Sequence, residues 1–150
     1  MKSFIRFIPF AALLLFLGGC SKAVVMPVNP VSGSWVLTDA VQYYGGGWQH
    51  FATGLESGVF DFYDNGAAGY NDGNIYMKGN WYSNTVVSGY YDQYGNYYND
   101  SHQTFEVYLY DSYTNTSADI YFDDVFFTGS QMIGTVYTNG VVEKYVFSRY

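Results

Sequence analysis

Two histidines, His50 and His102, one cysteine, Cys20, and thirteen acidic residues are the side chains of this 150-residue chain equipped for proton transfer, nucleophilic attack or metal binding. Their setting argues against catalysis. Both histidines fall in segments that read as loops, and no serine sits in a Gly-x-Ser-x-Gly elbow. A Ser–His–Asp arrangement can assemble across space without leaving a motif, but nothing in the residue order points to one, and no enzyme is expected. Asp123-Asp124 sets two carboxylates side by side. Neighbours on a strand point to opposite faces, so this pair is poorly placed to share one proton or one metal. Asp61, Asp64, Asn65, Asp72 and Asn74 offer hard oxygen atoms near two turns, the ligand type that calcium takes. The EF-hand spacing is absent and Asp64-Asn65-Gly66 is accounted for as a turn, so neither a metal nor a cofactor is expected. With one cysteine, the chain has no internal disulfide and no thiolate cluster.

That cysteine has a different chemistry open to it. Lys2 and Arg6 accompany an apolar run from Phe4 to Leu17 that ends in Leu17-Gly18-Gly19-Cys20. A charged start, a short apolar stretch and small residues before a cut describe a secretory signal. The run is too short, and too closely followed by Gly18-Gly19, to be a spanning helix of about 20 residues. Leu-Gly-Gly-Cys resembles the lipobox of bacterial lipoproteins. The resemblance implies cleavage before Cys20, a diacylglycerol on its sulfur and a further acyl chain on its freed amine. Two or more chains anchor stably where one binds only marginally. The expected organisation is a signal peptide (1–19), a lipidated cysteine with a tether (20–32) and one domain (33–150), held to a membrane through Cys20. Pro27 and Pro30 keep the tether extended, and about twelve residues at roughly 3.1 Å each reach about 37 Å. Ser21, in place of Asp, resembles the outer-membrane sorting pattern of such lipoproteins. Lys22-Ala23 carries no acidic run of the kind linked to surface export. The periplasmic face of an outer membrane is therefore the expected address, ahead of the cell surface.

Removal of residues 1–19 would move the formal charge from −7 to −9. A domain this acidic is ill suited to nucleic acid, which needs Lys and Arg against phosphate, and to anionic lipid headgroups. Aromatic residues make up 22% of the chain, eighteen of them Tyr, while Lys and Glu are scarce. Tyr, Phe, Val and Thr favour pleated surfaces, and Gly, Asn and Asp favour turns. The class that follows is all-β. Runs of strand formers at roughly 8–12-residue spacing read as a sandwich or barrel, with strands near 34–44, 58–63, 67–71, 74–82, 85–92, 104–111, 117–127, 131–138 and 141–149. Asn139-Gly140 supplies the two positive-φ positions of a type I′ hairpin turn. Alternation turns Phe105, Val107 and Leu109 inward and Glu106, Tyr108 and Tyr110 outward, and does the same for Phe60 and Phe62 around Asp61 and for Ile120 and Phe122 around Tyr121. The piece from Tyr90 to Asp100 is the most loop-like within the domain.

Gly33-Ser34-Trp35 at the start of the first strand resembles the Gly-x-Trp motif that opens lipocalins and lipocalin-like domains. Arg149, in Phe147-Ser148-Arg149-Tyr150, stands where that superfamily has a basic residue packed across the Trp ring, a favourable cation–π contact. The resemblance covers residues 33–150 and implies a single antiparallel up-and-down β-barrel of eight or nine strands, with Trp35 and Arg149 closing one end. The chain is short, lacks the helix that follows the barrel in larger lipocalins, and has no disulfide. In such barrels the first inter-strand loop is a lid over the mouth, and 45–58 matches it in place and length. Phe60, Phe62, Phe105, Val107, Leu109, Ile120 and Phe122 would then line a pocket for a small apolar or amphipathic molecule, guarded by Trp48, His50 and Phe51. A barrel filled by its own side chains has no room for a ligand. In that alternative the Tyr-rich exterior would bind an envelope glycan or a protein partner. Short strands and outward Asp and Glu argue against a membrane-spanning barrel.

Overall fold

A computed structural model describes residues 29–92 and 94–150. The expected signal segment, Cys20 and the expected tether up to residue 28 lie outside the described residues. The rest is strand and turn: β1 (Gly33–Tyr44), β2 (Gly47–His50), β3 (Val59–Phe62), β4 (Ala67–Asn71), β5 (Tyr76–Tyr91), β6 (Tyr97–Asp111), β7 (Thr116–Phe122), β8 (Asp124–Thr128), β9 (Gln131–Thr138) and β10 (Val141–Arg149). Every ladder is antiparallel. The hydrogen-bonded path runs β7-β6-β5-β4-β3-β1-β10-β9-β8, with β2 beside it on β1. The all-β antiparallel class is as expected, in ten strands instead of eight or nine. The ladder is not closed into a barrel: its two ends, β7 and β8, are not hydrogen-bonded to one another.

The two ends of the path meet in the sequence at one corner. Residues 117–127 read as one strand, but the run breaks at Asp123. Up to Phe122 it bonds β6, and from Asp124 it bonds β9. Asp123 holds the corner, its N–H donating to the Thr135 carbonyl at 2.8 Å and its carboxylate accepting the Tyr137 N–H at 2.8 Å.

Turn chemistry sets much of the remaining register. Asn139 and Gly140 have φ of 52° and 84°, and Thr138 pairs with Val141, as a type I′ turn requires. Gly45 and Gly46 have φ of 63° and 87° between the paired residues Tyr44 and Gly47. They fold the start of the expected lid back onto β1 as strand β2, so the free loop shrinks to residues 51–58.

The largest departure lies in β5 and β6. The expected break at Ser83-Asn84 is absent, since Ser83 pairs with Phe105 and Asn84 with Thr104. Pairing continues to Tyr91 and Tyr97, so most of the segment expected as loop is strand. Tyr90 stacks on Tyr98 at 5.7 Å and on His102 at 4.1 Å, and Tyr91 stacks on Tyr137 of β9 at 4.2 Å. Tyr90–Tyr98 is a pair directly across the ladder, the kind that stabilises a sheet by tenths of a kcal/mol to about 1 kcal/mol, while Tyr91–Tyr137 joins strands that are not hydrogen-bonded neighbours. The turn contracts to 92–96, where the Asp92 carboxylate accepts the N–H groups of Tyr94 and Asn96 at 2.8 Å each.

Candidate binding surfaces

The seven residues expected to line a pocket do converge, but they meet one another. Phe60 and Phe105 are 0% exposed, and Phe62, Val107, Leu109 and Phe122 at most 3%; Ile120 is half-buried against them. The Phe62 ring lies 6.2 Å from Phe60, 6.3 Å from Trp81 and 5.4 Å from Phe105. Phe105 continues to Phe122 at 6.2 Å, and Phe122 to Tyr145 at 5.2 Å. These are ordinary separations for packed aromatic pairs. Gly134 shows how tight the fit is, because a Cβ there would overlap the Phe122 ring.

The pair read from the sequence, Trp35 and Arg149, is in contact. Trp35 and Arg149 are register partners on β1 and β10, with the guanidinium 4.1 Å from the indole centroid. The indole N–H donates to the Val31 carbonyl at 2.7 Å. Arg149 also donates to the carbonyls of Ser32 and, at 2.9 Å, Pro30. It therefore clamps the segment that leads into the domain as well as covering the Trp.

The three expected mouth residues separate. Trp48 projects from β2, 38% exposed, edge-on to Tyr43 at 5.5 Å and under the Lys144 ammonium at 5.1 Å. Phe51 packs edge-on against Tyr145 at 5.7 Å. His50 lies 2.8 Å from Asp39, Nδ1 to Oδ1, with its ring largely exposed. His50 and Phe51 do share one feature, an open cleft of about 360 Å³ lined also by Thr38, Asp39, Ala40, Ala52 and Glu56. The Glu56 carboxyl is held below its ordinary range, chiefly by the Thr53 N–H.

Four of the five candidate calcium-ligand residues make hydrogen bonds within the fold. Asp72 accepts the N–H groups of Asn74 and Ile75 at 2.8 and 2.7 Å, which depresses its pKa. Asn65 accepts the Ala67 N–H at 3.1 Å, Asp61 the Ser34 hydroxyl at 2.5 Å, and Asp64 the Ser32 hydroxyl. Asp123 and Asp124 part company, one at the corner and one half-buried beside β6. Burial pushes the Asp124 carboxyl up, against the pull of His102.

Outside, fourteen of the eighteen tyrosines are exposed. The ladders bring several into lateral rows on the outward face of β3 to β7. One row reads Asp61, Gly69, Lys78, Tyr110, Ser117. The next reads Ala67, Asn80, Tyr108, Asp119, and the third Tyr82, Glu106, Tyr121. Tyr82, Tyr108, Tyr110 and Tyr121 are 51%, 49%, 51% and 47% exposed. Their hydroxyls are partly tied down: Tyr108 donates to Glu106 at 2.9 Å and Tyr110 to Asn115 at 3.0 Å. The Glu106 carboxylate raises the Tyr108 pKa. The outward direction of Tyr108, Tyr110 and Tyr121 was legible from alternation. The lateral assembly of these rows depends on β5 running past Ser83 and on the β6–β7 register, which no local pattern in the chain announces.

The chain matches no protein-family model, no curated protein and no solved structure.

Proposed function

We propose that this chain is an envelope lipoprotein, anchored through Cys20 at the periplasmic face of an outer membrane, whose domain binds without catalysis and through its exterior. The observation that carries this reading is the division of the aromatics: among the described residues Phe60, Phe62, Phe105, Phe122 and Phe147 fill the interior ring against ring, while fourteen tyrosines face solvent. A lipocalin-like origin fits the Trp35–Arg149 closure. It also fits the meander order of the strands, in which a single residue, Asp123, separates the two ends of the path. His102 is stacked on Tyr90 and His50 is pinned by Asp39, so each histidine has a structural task.

The exterior reading is tested by tyrosine nitration, carried out on the purified protein and on intact envelopes and mapped by mass spectrometry. Tyr82, Tyr108, Tyr110 and Tyr121 should be modified readily in the purified protein and protected in the envelope. Equal modification in both settings would sink the reading. The cleft beside His50 and Phe51 supports a second reading, in which a small amphipathic molecule lies across that cleft instead of inside the sheet.

A further inference from the structure

We propose that the three lateral rows on the outward face of β4 to β7 are a platform for a neutral polysaccharide. This rests on the reading that the domain binds through its exterior, and names the ligand class for that surface.

Strands lie about 4.8 Å apart and alternate residues on one strand about 7 Å apart. Tyr110, Tyr108 and the Tyr82–Tyr121 pair therefore mark out an area of about 10 by 14 Å, wider than one sugar ring. Each ring is about half exposed, which leaves part of its π surface open. That surface is electron-rich and attracts the weakly positive C–H faces of a pyranose. Tyr82 and Tyr108 stand edge-on to each other at 6.2 Å, and the hydroxyl bonds to Glu106 and Asn115 limit ring rotation. Rings already held in place lose little entropy when a ligand stacks on them.

The remaining positions suit a polyhydroxylated chain. Asn80 and Lys78 stand in the same rows, next to Ala67 and Gly69. Ala67, small and part-exposed, leaves a low step beside Asn80, and the amide and ammonium present donors along these rows. Asp119 adds an acceptor on the far side of Tyr108. Charge selects among glycans. Lys78 is outnumbered by Glu106 and Asp119 within these rows, on a chain of net charge −7, so a polyanion would be repelled. A protein partner is disfavoured for a different reason. Protein hot spots bury an aromatic or Arg anchor in a desolvated pocket, whereas here the rings stand on an open face among amide and charged groups.

The experiment is affinity electrophoresis of the full chain, extracted in a mild non-ionic detergent, through native gels containing amylose, laminarin, hydroxyethylcellulose, xylan or, as the acidic comparison, alginate. Retardation is expected in at least one of the four neutral gels and not in alginate. The double variant Tyr108→Ala/Tyr110→Ala should weaken it tenfold or more, and Tyr108→Phe should retain it; circular dichroism checks that both variants fold. Unretarded migration in all four neutral gels would overturn the proposal. So would equal retardation in alginate, or retardation unchanged in the folded double variant. If the gels fail while nitration protection in envelopes holds, the exterior still binds but a ligand of another class. If protection is also lost, both readings fall.

Discussion

Phe62→Ala measures whether the interior is a packed solid or a lined hollow. The side chain is 3% exposed and touches three rings, Phe60, Trp81 and Phe105, at centroid distances from 5.4 to 6.3 Å. In a packed interior, truncation removes the transfer free energy of the ring and leaves a cavity that neighbours fill only in part, at a cost of about 3–5 kcal/mol. Each lost aromatic pair carries roughly 0.5–1.5 kcal/mol beyond its buried area, which places Phe62 toward the upper part of that range. In a domain of this size 1 kcal/mol moves the melting temperature by about 4 °C, so the expected fall is roughly 12–20 °C. Urea unfolding followed by Trp fluorescence gives the same quantity as a shift in midpoint at unchanged slope. Phe126→Ala, at a ring 51% exposed, is the comparison and should cost under about 0.5 kcal/mol. A loss below about 1 kcal/mol at Phe62 would refute the packing argument, because a ring lining an empty pocket has less to lose.

Arg149→Met removes a cation–π contact and two donors to backbone carbonyls, and should cost about 1–3 kcal/mol in chemical unfolding. Arg149→Lys should not restore it, because a compact ammonium cannot reproduce the planar fork. Gly134→Val should destabilise more than Phe126→Ala in a thermal melt, since its Cβ would meet the Phe122 ring. Asp124→Asn should raise stability at pH 7, read as a higher urea midpoint. Burial raises the folded-state pKa of Asp124 above the ordinary 3.8, so ionisation costs the native state. The gain is therefore full above the folded pKa and vanishes as pH falls below 3.8; a gain that persisted into acid would contradict that assignment.

The parts of this fold that were legible in the sequence are those set by neighbours in the chain. Alternation at Phe105, Val107 and Leu109 assigned the inner face of β6, and Asn139-Gly140 assigned the β9–β10 turn, because pleat and positive φ are local properties. The Trp35–Arg149 contact was legible through position at the two chain ends. What stayed hidden depends on pairs far apart in sequence. Tyr97, Tyr98 and His102 look like loop residues until Tyr90 and Tyr91 lie against them. The break at Asp123 is invisible in a run of strand formers, since it follows from Thr135 and Tyr137 claiming its backbone and carboxylate. The same holds for the site. Inward placement of the phenylalanines could be read, but whether they enclose space depends on ring-to-ring distances, and those depend on glycines such as Gly134 on other strands.

The most direct test of an outward-binding, solid domain is native mass spectrometry of the full chain, released from detergent and compared with the same sample after denaturation. One mass is expected in both states, that of the chain with its covalent lipid. Extra mass the size of a lipid or pigment, present in the native spectrum and lost on denaturation, would contradict it if the mass also persisted in His50→Ala, which opens the outer cleft and leaves the core untouched.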